Sequence, residues 1–256
     1  MEKTKRKVLI TGGTSGLGFS IAEQSLKEGL FPIMVYLNDE FNKDKAREKL
    51  EQRGFVCEKD FRILSFDVSN IESINKAMKI FSFDDLSNVY YLVNSAAVLK
   101  RGSILTLSAE DWATTLNVNV LGIVNMSKYF YENCPNASSI VNIGSIRGEP
   151  SVARSGNAAY SVSKSTIPTI TALLAKTFQK KIRVNAVSPG VMDTKQRVGI
   201  PEIENKKSGY GNTILKRNGK TEEIAMMVLF LLSDNSSYIT GSNFVVDGGY
   251  SINYIK

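Results

Sequence analysis

Short β-branched and apolar runs alternate along the chain with longer segments whose apolar residues recur every three or four positions. That alternation predicts repeated strand–helix–strand units on a parallel sheet. The pattern places strands at Lys7–Thr11, Phe31–Leu37, Phe61–Phe66, Val89–Asn94, Ser139–Gly144, Ile182–Val187 and Asn243–Val246. It places helices over Gly16–Glu28, Asn42–Arg53, Ile71–Phe81, Ala109–Tyr131, Asn157–Phe178 and Thr221–Leu232. Pro168 falls inside the fifth of these helices, where it removes the N–H that would bond the Lys164 carbonyl, so a local kink is expected there. The expected fold is a single α/β domain over residues 1–256, a Rossmann-type doubly wound parallel sheet of about seven strands with helices on both faces. Ligands of such sheets lie at the carboxyl ends of the strands, where strand order reverses. The stretch 191–214 holds Gly199, Pro201, Gly209 and Gly211 without a periodic pattern; it is expected to be a substrate loop or lid, with a mobile surface loop as the alternative.

Composition narrows the chemistry. A chain of 256 residues that is 43% hydrophobic can bury a sizeable core. The basic start Met1–Lys7 runs straight into Val8-Leu9-Ile10, without a signal-peptide pattern, and no apolar run is long enough to cross a bilayer. Cys57 and Cys134 lack CxxC spacing and read as reduced thiols of a cytoplasmic protein. The chain contains no histidine, which excludes Ser-His-Asp and Cys-His catalysis and the usual zinc sites, so no metal is expected. The net charge of +7 comes from scattered Lys and Arg rather than a basic tract interleaved with aromatics; a solvated surface is expected, not nucleic-acid binding.

Two short segments carry chemistry of their own. In Thr11-Gly12-Gly13-Thr14-Ser15-Gly16-Leu17-Gly18, Gly12, Gly16 and Gly18 let the backbone turn tightly and approach a pyrophosphate, whose charge the helix-start N–H groups meet. Thr14 and Ser15 add hydroxyl donors. A plain strand-to-helix turn fits the same pattern. In Tyr160-Ser161-Val162-Ser163-Lys164, a phenol and an ammonium sit one helical turn apart on one face. A nearby cation stabilises phenolate, which lets a tyrosine with pKa of roughly 10 act as acid or base. On residue types alone, an ordinary helix pair fits equally well.

Taken in order, these segments and several others resemble the short-chain dehydrogenase/reductase family over nearly the whole chain. The others are Asp67-Val68-Ser69, Asn94-Ser95-Ala96-Ala97, Asn119 within Asn117-Val118-Asn119-Val120, Ser145, Pro189-Gly190 through Thr194, Thr240-Gly241 and Asp247-Gly248-Gly249. The resemblance implies an oxidoreductase in which Tyr160 is the general acid in reduction and the general base in oxidation, while Ser145 hydrogen-bonds the substrate oxygen. It implies that Lys164 binds the nicotinamide ribose and keeps the phenol acidic, and that Asn119 holds a water linking the lysine to solvent. It implies that Asp67 and Val68 meet the adenine edge, Asn94 and Ala96 the adenosine ribose, and Pro189, Gly190, the Met192 backbone and Thr194 the nicotinamide carboxamide. A dinucleotide-binding sensor without turnover is the non-catalytic alternative.

Cofactor choice turns on the end of the second strand, where an NAD enzyme needs a carboxylate for the ribose 2′-OH. Val35-Tyr36-Leu37-Asn38 offers none, and Lys43, Lys45 and Arg47 follow, so NADP(H) is favoured; Asp39 or Glu40 would serve NAD(H) if the strand ended later. The fourth-strand motif reads Asn94-Ser95-Ala96-Ala97 where the family more often has NNAG, and the interval from Ser145 to Tyr160 is long, with Glu149-Pro150 and Arg154 inside it. That loop is expected to border the substrate. Within the family the chain most resembles 3-oxoacyl-[acyl-carrier-protein] reductases, including over the segment Ile214 to Glu223. An acyl-thioester substrate would meet a basic entrance built from Arg101, Arg147, Lys195 or Arg197; a sugar, polyol or specialised biosynthetic intermediate is the alternative. The resemblance also implies a homotetramer, or a homodimer, through the long fourth and fifth helices and the C-terminal strand. Val118, Leu121, Ile123, Val124 and Met126 fit either a buried helix pair or ordinary core packing.

Overall fold

Strands buried on both faces read as continuous apolar runs, and here they form the middle of the sheet. In the computed structural model, which describes residues 5–193 and 213–253, β1 (Lys7–Thr11), β4 (Val89–Asn94), β5 (Ser139–Ile143) and β6 (Arg183–Pro189) are almost wholly buried. They are flanked by β2 (Phe31–Tyr36), and the edges are β3 (Arg62–Ser65) and β7 (Asn243–Val246). The order is β3-β2-β1-β4-β5-β6-β7, with every neighbouring pair parallel. Strand order reverses between β1 and β4. The sheet is the expected Rossmann-type α/β arrangement.

Helices cover both faces. On one face α1 (Gly16–Lys27) and α9 (Thr221–Leu232) bury Ile21, Leu26, Ile224 and Val228 against Val8, Val93 and Val141. On the other, Ile74 of α3 (Ile71–Met78), Met126 and Phe130 of α6 (Gly122–Asn133) and Phe178 of α8 (Ile167–Phe178) pack on Leu9, Leu92, Ile140 and Val184. The helix α2 (Glu40–Glu51) starts two residues before its expected position, because Asp39 caps it by accepting the Asn42 N–H at 3.2 Å. A short α4 (Phe83–Ser87) with a Ser82–Asp85 capping box was not foreseen.

The two long helices expected beside the site are both broken. Ala109–Tyr131 resolves into α5 (Ala109–Leu116), a π-helical turn at Asn117–Leu121 and α6. Asn157–Phe178 resolves into α7 (Ala158–Ser165) and α8, with Thr166 between them and Pro168 in the first turn of α8. Proline needs no N–H donor in a first turn, so the kink becomes a restart. The Ser163, Ser165 and Thr166 hydroxyls donate to the carbonyls of Tyr160, Val162 and Ser163 at 2.7–2.8 Å, binding the last turn of α7 to itself. The expected lid at 191–214 lies outside the described residues except at its two ends, and Thr194, Lys195 and Arg197 lie outside with it. Among the described residues no helix is long and apolar enough to cross a membrane, and no cluster of three or more acidic or cysteine side chains is placed to hold a metal.

Candidate active site

At the carboxyl end of β1 the chain turns sharply into α1. Gly12 has φ of +64°, and a Cβ there would stand 3.0 Å from the Ala96 Cα; a Cβ on Gly18 would stand 2.1 Å from the Gly12 carbonyl oxygen. Only glycine fits either place. No side chain caps the start of α1 at Ser15, so the first-turn N–H groups and the positive end of the helix are available to an anion. The Thr11 hydroxyl accepts the Ser95 and Ala96 N–H groups at 3.0 and 3.1 Å, tying the β4 loop to this turn. Thr11 was quoted within the turn without this role.

Two recesses meet at the turn and share Gly12, Ser15, Ala96 and Ala97. One, of about 220 Å3, runs past Thr14 to Tyr36, Asp39, Asp67 and Val68. The other, of about 330 Å3, runs past Gly16, Leu17 and Gly18 to Ser145, Tyr160, Lys164, Pro189, Gly190 and Met192. Together they form a trough in which a cradle for a pyrophosphate separates two pockets, and that shape fits a dinucleotide. Asn94 is not on its wall. The Asn94 amide is buried and donates to Asn142 Oδ1 at 2.9 Å and to Ser127 Oγ at 3.3 Å, so the expected ribose contact is not made by this side chain. The bases expected near the ribose are otherwise engaged: Lys43 ion-pairs with Glu40 and Asp44, and Arg47 with Glu51, while the Tyr36 hydroxyl donates to Glu40 at 2.8 Å. Lys43 Nζ nevertheless lies 5.9 Å from the centre of the Tyr36 ring.

The reactive end of the trough is assembled from three elements. Ser145 follows β5; its side chain accepts the Arg147 N–H at 3.1 Å and faces the same recess as Tyr160. Tyr160 and Lys164 come from α7. Lys164 is buried, with Nζ 2.7 Å from the Ile143 carbonyl oxygen and 5.7 Å from the Tyr160 ring centre. Burial pushes its ammonium down to about 8 from the ordinary 10.5. Burial also raises the Tyr160 phenol above its usual range, against the opposing pull of the Ser145 hydroxyl and the Arg147 charge. The Lys164 ammonium donates to the Ile143 carbonyl while lying over the Tyr160 ring, and the charge of Arg147 also favours the phenolate.

Asn119 sits in the π-helical turn, fully buried. Its Oδ1 accepts the Val98 N–H at 2.8 Å, and its Nδ2 donates to the Val98 carbonyl at 3.0 Å and to Ser163 Oγ at 2.9 Å. Both amide hydrogens are therefore in use, and the side chain joins the β4 loop to α7. A recess of about 340 Å3 near the start of β4, lined by Glu28, Tyr91, Met226 and Phe230, contains none of these groups.

The family model described as enoyl-(acyl carrier protein) reductase matches residues 12–251. The 3-oxoacyl-[acyl-carrier-protein] reductase FabG of Chlamydia trachomatis is 32% identical over 254 residues, covering 95% of this chain and 96% of that protein. Glucose 1-dehydrogenase 2 of Bacillus subtilis is 29% identical over 254 residues, covering 97% and 96%. Cyclopentanol dehydrogenase of Comamonas testosteroni is 31% identical over 250 residues, covering 96% and 97%. With the parallel sheet, the glycine cradle and these relatives in agreement, the chain belongs to the short-chain dehydrogenase/reductase family, oxidoreductases that interconvert carbonyl and alcohol groups with a nicotinamide dinucleotide.

Proposed function

We propose that the chain is an NADP(H)-dependent reductase or dehydrogenase of a single catalytic domain in which Tyr160 transfers the proton, Ser145 orients the substrate oxygen and Lys164 holds the nicotinamide ribose. The observation that carries this reading is that Ser145, Tyr160 and Lys164, from β5's end and α7, line one recess that continues from the glycine turn. The dinucleotide supplies the hydride acceptor or donor. Gly12, Gly16 and Gly18 admit its pyrophosphate, Asp67, Val68 and Ala96 border its adenosine half, and Pro189, Gly190 and Met192 border its nicotinamide half. Ser145 and Tyr160 converge on one substrate oxygen: the phenol O–H donates to a carbonyl as charge develops on it, or accepts the proton of an alcohol being oxidised. Asn119 keeps α7 at its distance from the β4 loop.

For the 2′ position, the absence of a carboxylate at Tyr36 and the placement of Lys43 beside its ring support NADP(H). The Lys43 ion pairs are exposed, and such pairs contribute about 0–1 kcal/mol, so a phosphate competes with them readily. Asp39 on the trough wall supports NAD(H) as a second reading. The relatives' names span a 3-oxoacyl thioester, a sugar and a cyclic alcohol at nearly equal identity, so the 3-oxoacyl thioester is kept as first candidate and a sugar, polyol or biosynthetic intermediate as the other. Unpaired Cys57 and Cys134 support a cytoplasmic protein. Exposed apolar side chains on α6, α8 and α9 support a homotetramer.

Titration with NADPH and NADH, followed by turnover of a 3-oxoacyl thioester, tests this. NADPH should bind more tightly, and Tyr160→Phe should lower kcat/KM by about 10^2- to 10^4-fold with dinucleotide affinity preserved. Failure to bind either dinucleotide would end the reading, and a Tyr160→Phe variant with full turnover would remove the tyrosine from it.

A further inference from the structure

The loop between Ser145 and α7 carries a guanidinium that no carboxylate among the described residues balances. Arg147 lies in the 3-10 turn Ile146–Gly148, two residues from Ser145, so their Cα atoms are at most about 7 Å apart. The turn is pressed onto the catalytic helix: a Cβ on Gly148 would lie 2.6 Å from the Lys164 carbonyl carbon and 2.7 Å from its oxygen. The base of the Arg147 side chain is thereby fixed beside the reacting groups. Its Nη1 donates to the Val152 carbonyl at 2.8 Å, and its guanidinium hydrogen-bonds Tyr250, with Cζ 5.8 Å from the centre of that ring.

These contacts hold the side chain in place but supply no negative charge. Among the described residues no carboxylate forms an ion pair with Arg147. The charged and titratable groups acting on it are Arg154, which repels it, and the neutral phenols Tyr160 and Tyr250. A half-buried cation with a like charge for a neighbour is costly unless something compensates it. A guanidinium has five N–H donors, and the named contacts use only part of them. A bound oxyanion would satisfy both deficits.

We infer that Arg147, assisted by Arg154, binds an anionic group of the substrate, so that the preferred substrate is a hydroxy or oxo compound carrying a carboxylate or phosphate a few bonds from its reacting carbon. This rests on the oxidoreductase reading above and goes beyond it, placing such a compound ahead of the 3-oxoacyl thioester. The short tether to Ser145 places the anion on the substrate's own skeleton, too near the reacting carbon for a phosphate at the far end of a long carrier arm. Neutral polyols and unsubstituted cyclic alcohols would leave the guanidinium uncompensated.

Malonate and inorganic phosphate are the probes, titrated calorimetrically into wild type and variants at low salt, with and without saturating dinucleotide. Wild type should bind at least one of them, and which one identifies the anion; dimethyl malonate should not bind. Arg147→Met should weaken that binding by about tenfold or more, as loss of a buried charged partner does. Arg154→Gln, at an exposed position that cannot disturb folding, should weaken it by about threefold, mostly at low salt. Arg147→Lys should fall between, keeping the charge without the planar fork. No anion binding by wild type, or equal binding by all variants, would overturn the inference. The dinucleotide titration in the same samples is a separate readout, since its failure would remove the oxidoreductase reading whatever the anions do.

Discussion

At Lys164 burial and charge are in conflict. The side chain is buried and its single close partner is the neutral carbonyl of Ile143. Its pKa is about 8 in the fold, against 10.5 ordinarily. Between those values the unfolded chain holds more protons than the folded one, so stability attributable to this group rises with pH. Below about pH 8 the cost of the buried charge is fully present, on the order of a few kcal/mol. Lys164→Met should therefore unfold at a higher temperature than wild type at pH 7, without dinucleotide, and the advantage should shrink as pH rises from 8 toward 10.5. Thermal melts of both proteins across that range measure it, and a difference that does not change with pH would refute the assignment. At this scale Ser145, Tyr160 and Lys164 were singled out by the family resemblance rather than by spacing alone, and the fold brings them to one recess. The Arg147–Tyr250 contact was not legible, because it joins the loop after β5 to the segment after β7, and no local pattern links the two.

At the scale of elements, the π-helical turn, the end of α7 and the 3-10 turn after Ser145 lock one another. Asn119 and Ser163 hold α7 to the β4 loop, and Gly148 lets the loop after Ser145 lie directly against the α7 backbone. Gly148→Ala should separate loop from helix, because the backbone atoms it meets cannot rotate away. Overpacking of this kind costs about 1–3 kcal/mol, and kcat should fall while dinucleotide affinity stays within about twofold of wild type. Gly156→Ala, in the same loop but with open space around it, should leave both unchanged. Unaltered turnover in Gly148→Ala would show that the contact does not position the reacting groups. The central strands were legible because burial on both faces leaves an unbroken apolar run: Lys7–Thr11 and Val89–Asn94 are found with the bounds expected. The break at Asn117–Leu121 was not expected and the one before Pro168 was expected only as a kink, because their causes are partly tertiary. The turn at Asn117–Leu121 is held by Val98 and Ser163, contacts between segments, and the proline fixes only that a restart precedes it.

For the whole molecule, the question is what covers the apolar side chains left outside. Of the stretch expected to form either a helix pair or core, Ile123 and Met126 are in the core, while Leu121 and Val124 are exposed. Val162 on α7 and Leu173 on α8 are exposed as well, and Met226 and Phe230 of α9 are exposed beside each other; we take the α6–α8 residues as one candidate patch and the α9 residues as the other. Each patch can be covered by its own copy across a two-fold axis, and two such axes generate a tetramer with dihedral symmetry. Single glutamates should therefore dissect the assembly rather than abolish it. Leu173→Glu should open the first contact and Met226→Glu the second, each leaving dimers, and the double variant should sediment as a monomer. Both positions are exposed, at 57% and 55%, so the substitutions leave the core intact, and circular dichroism should report an unchanged fold. Sedimentation velocity at micromolar concentration separates the three species. A wild-type monomer would rule out the tetramer, and a single variant that dissociates completely would mean that one patch, not two, holds the copies together.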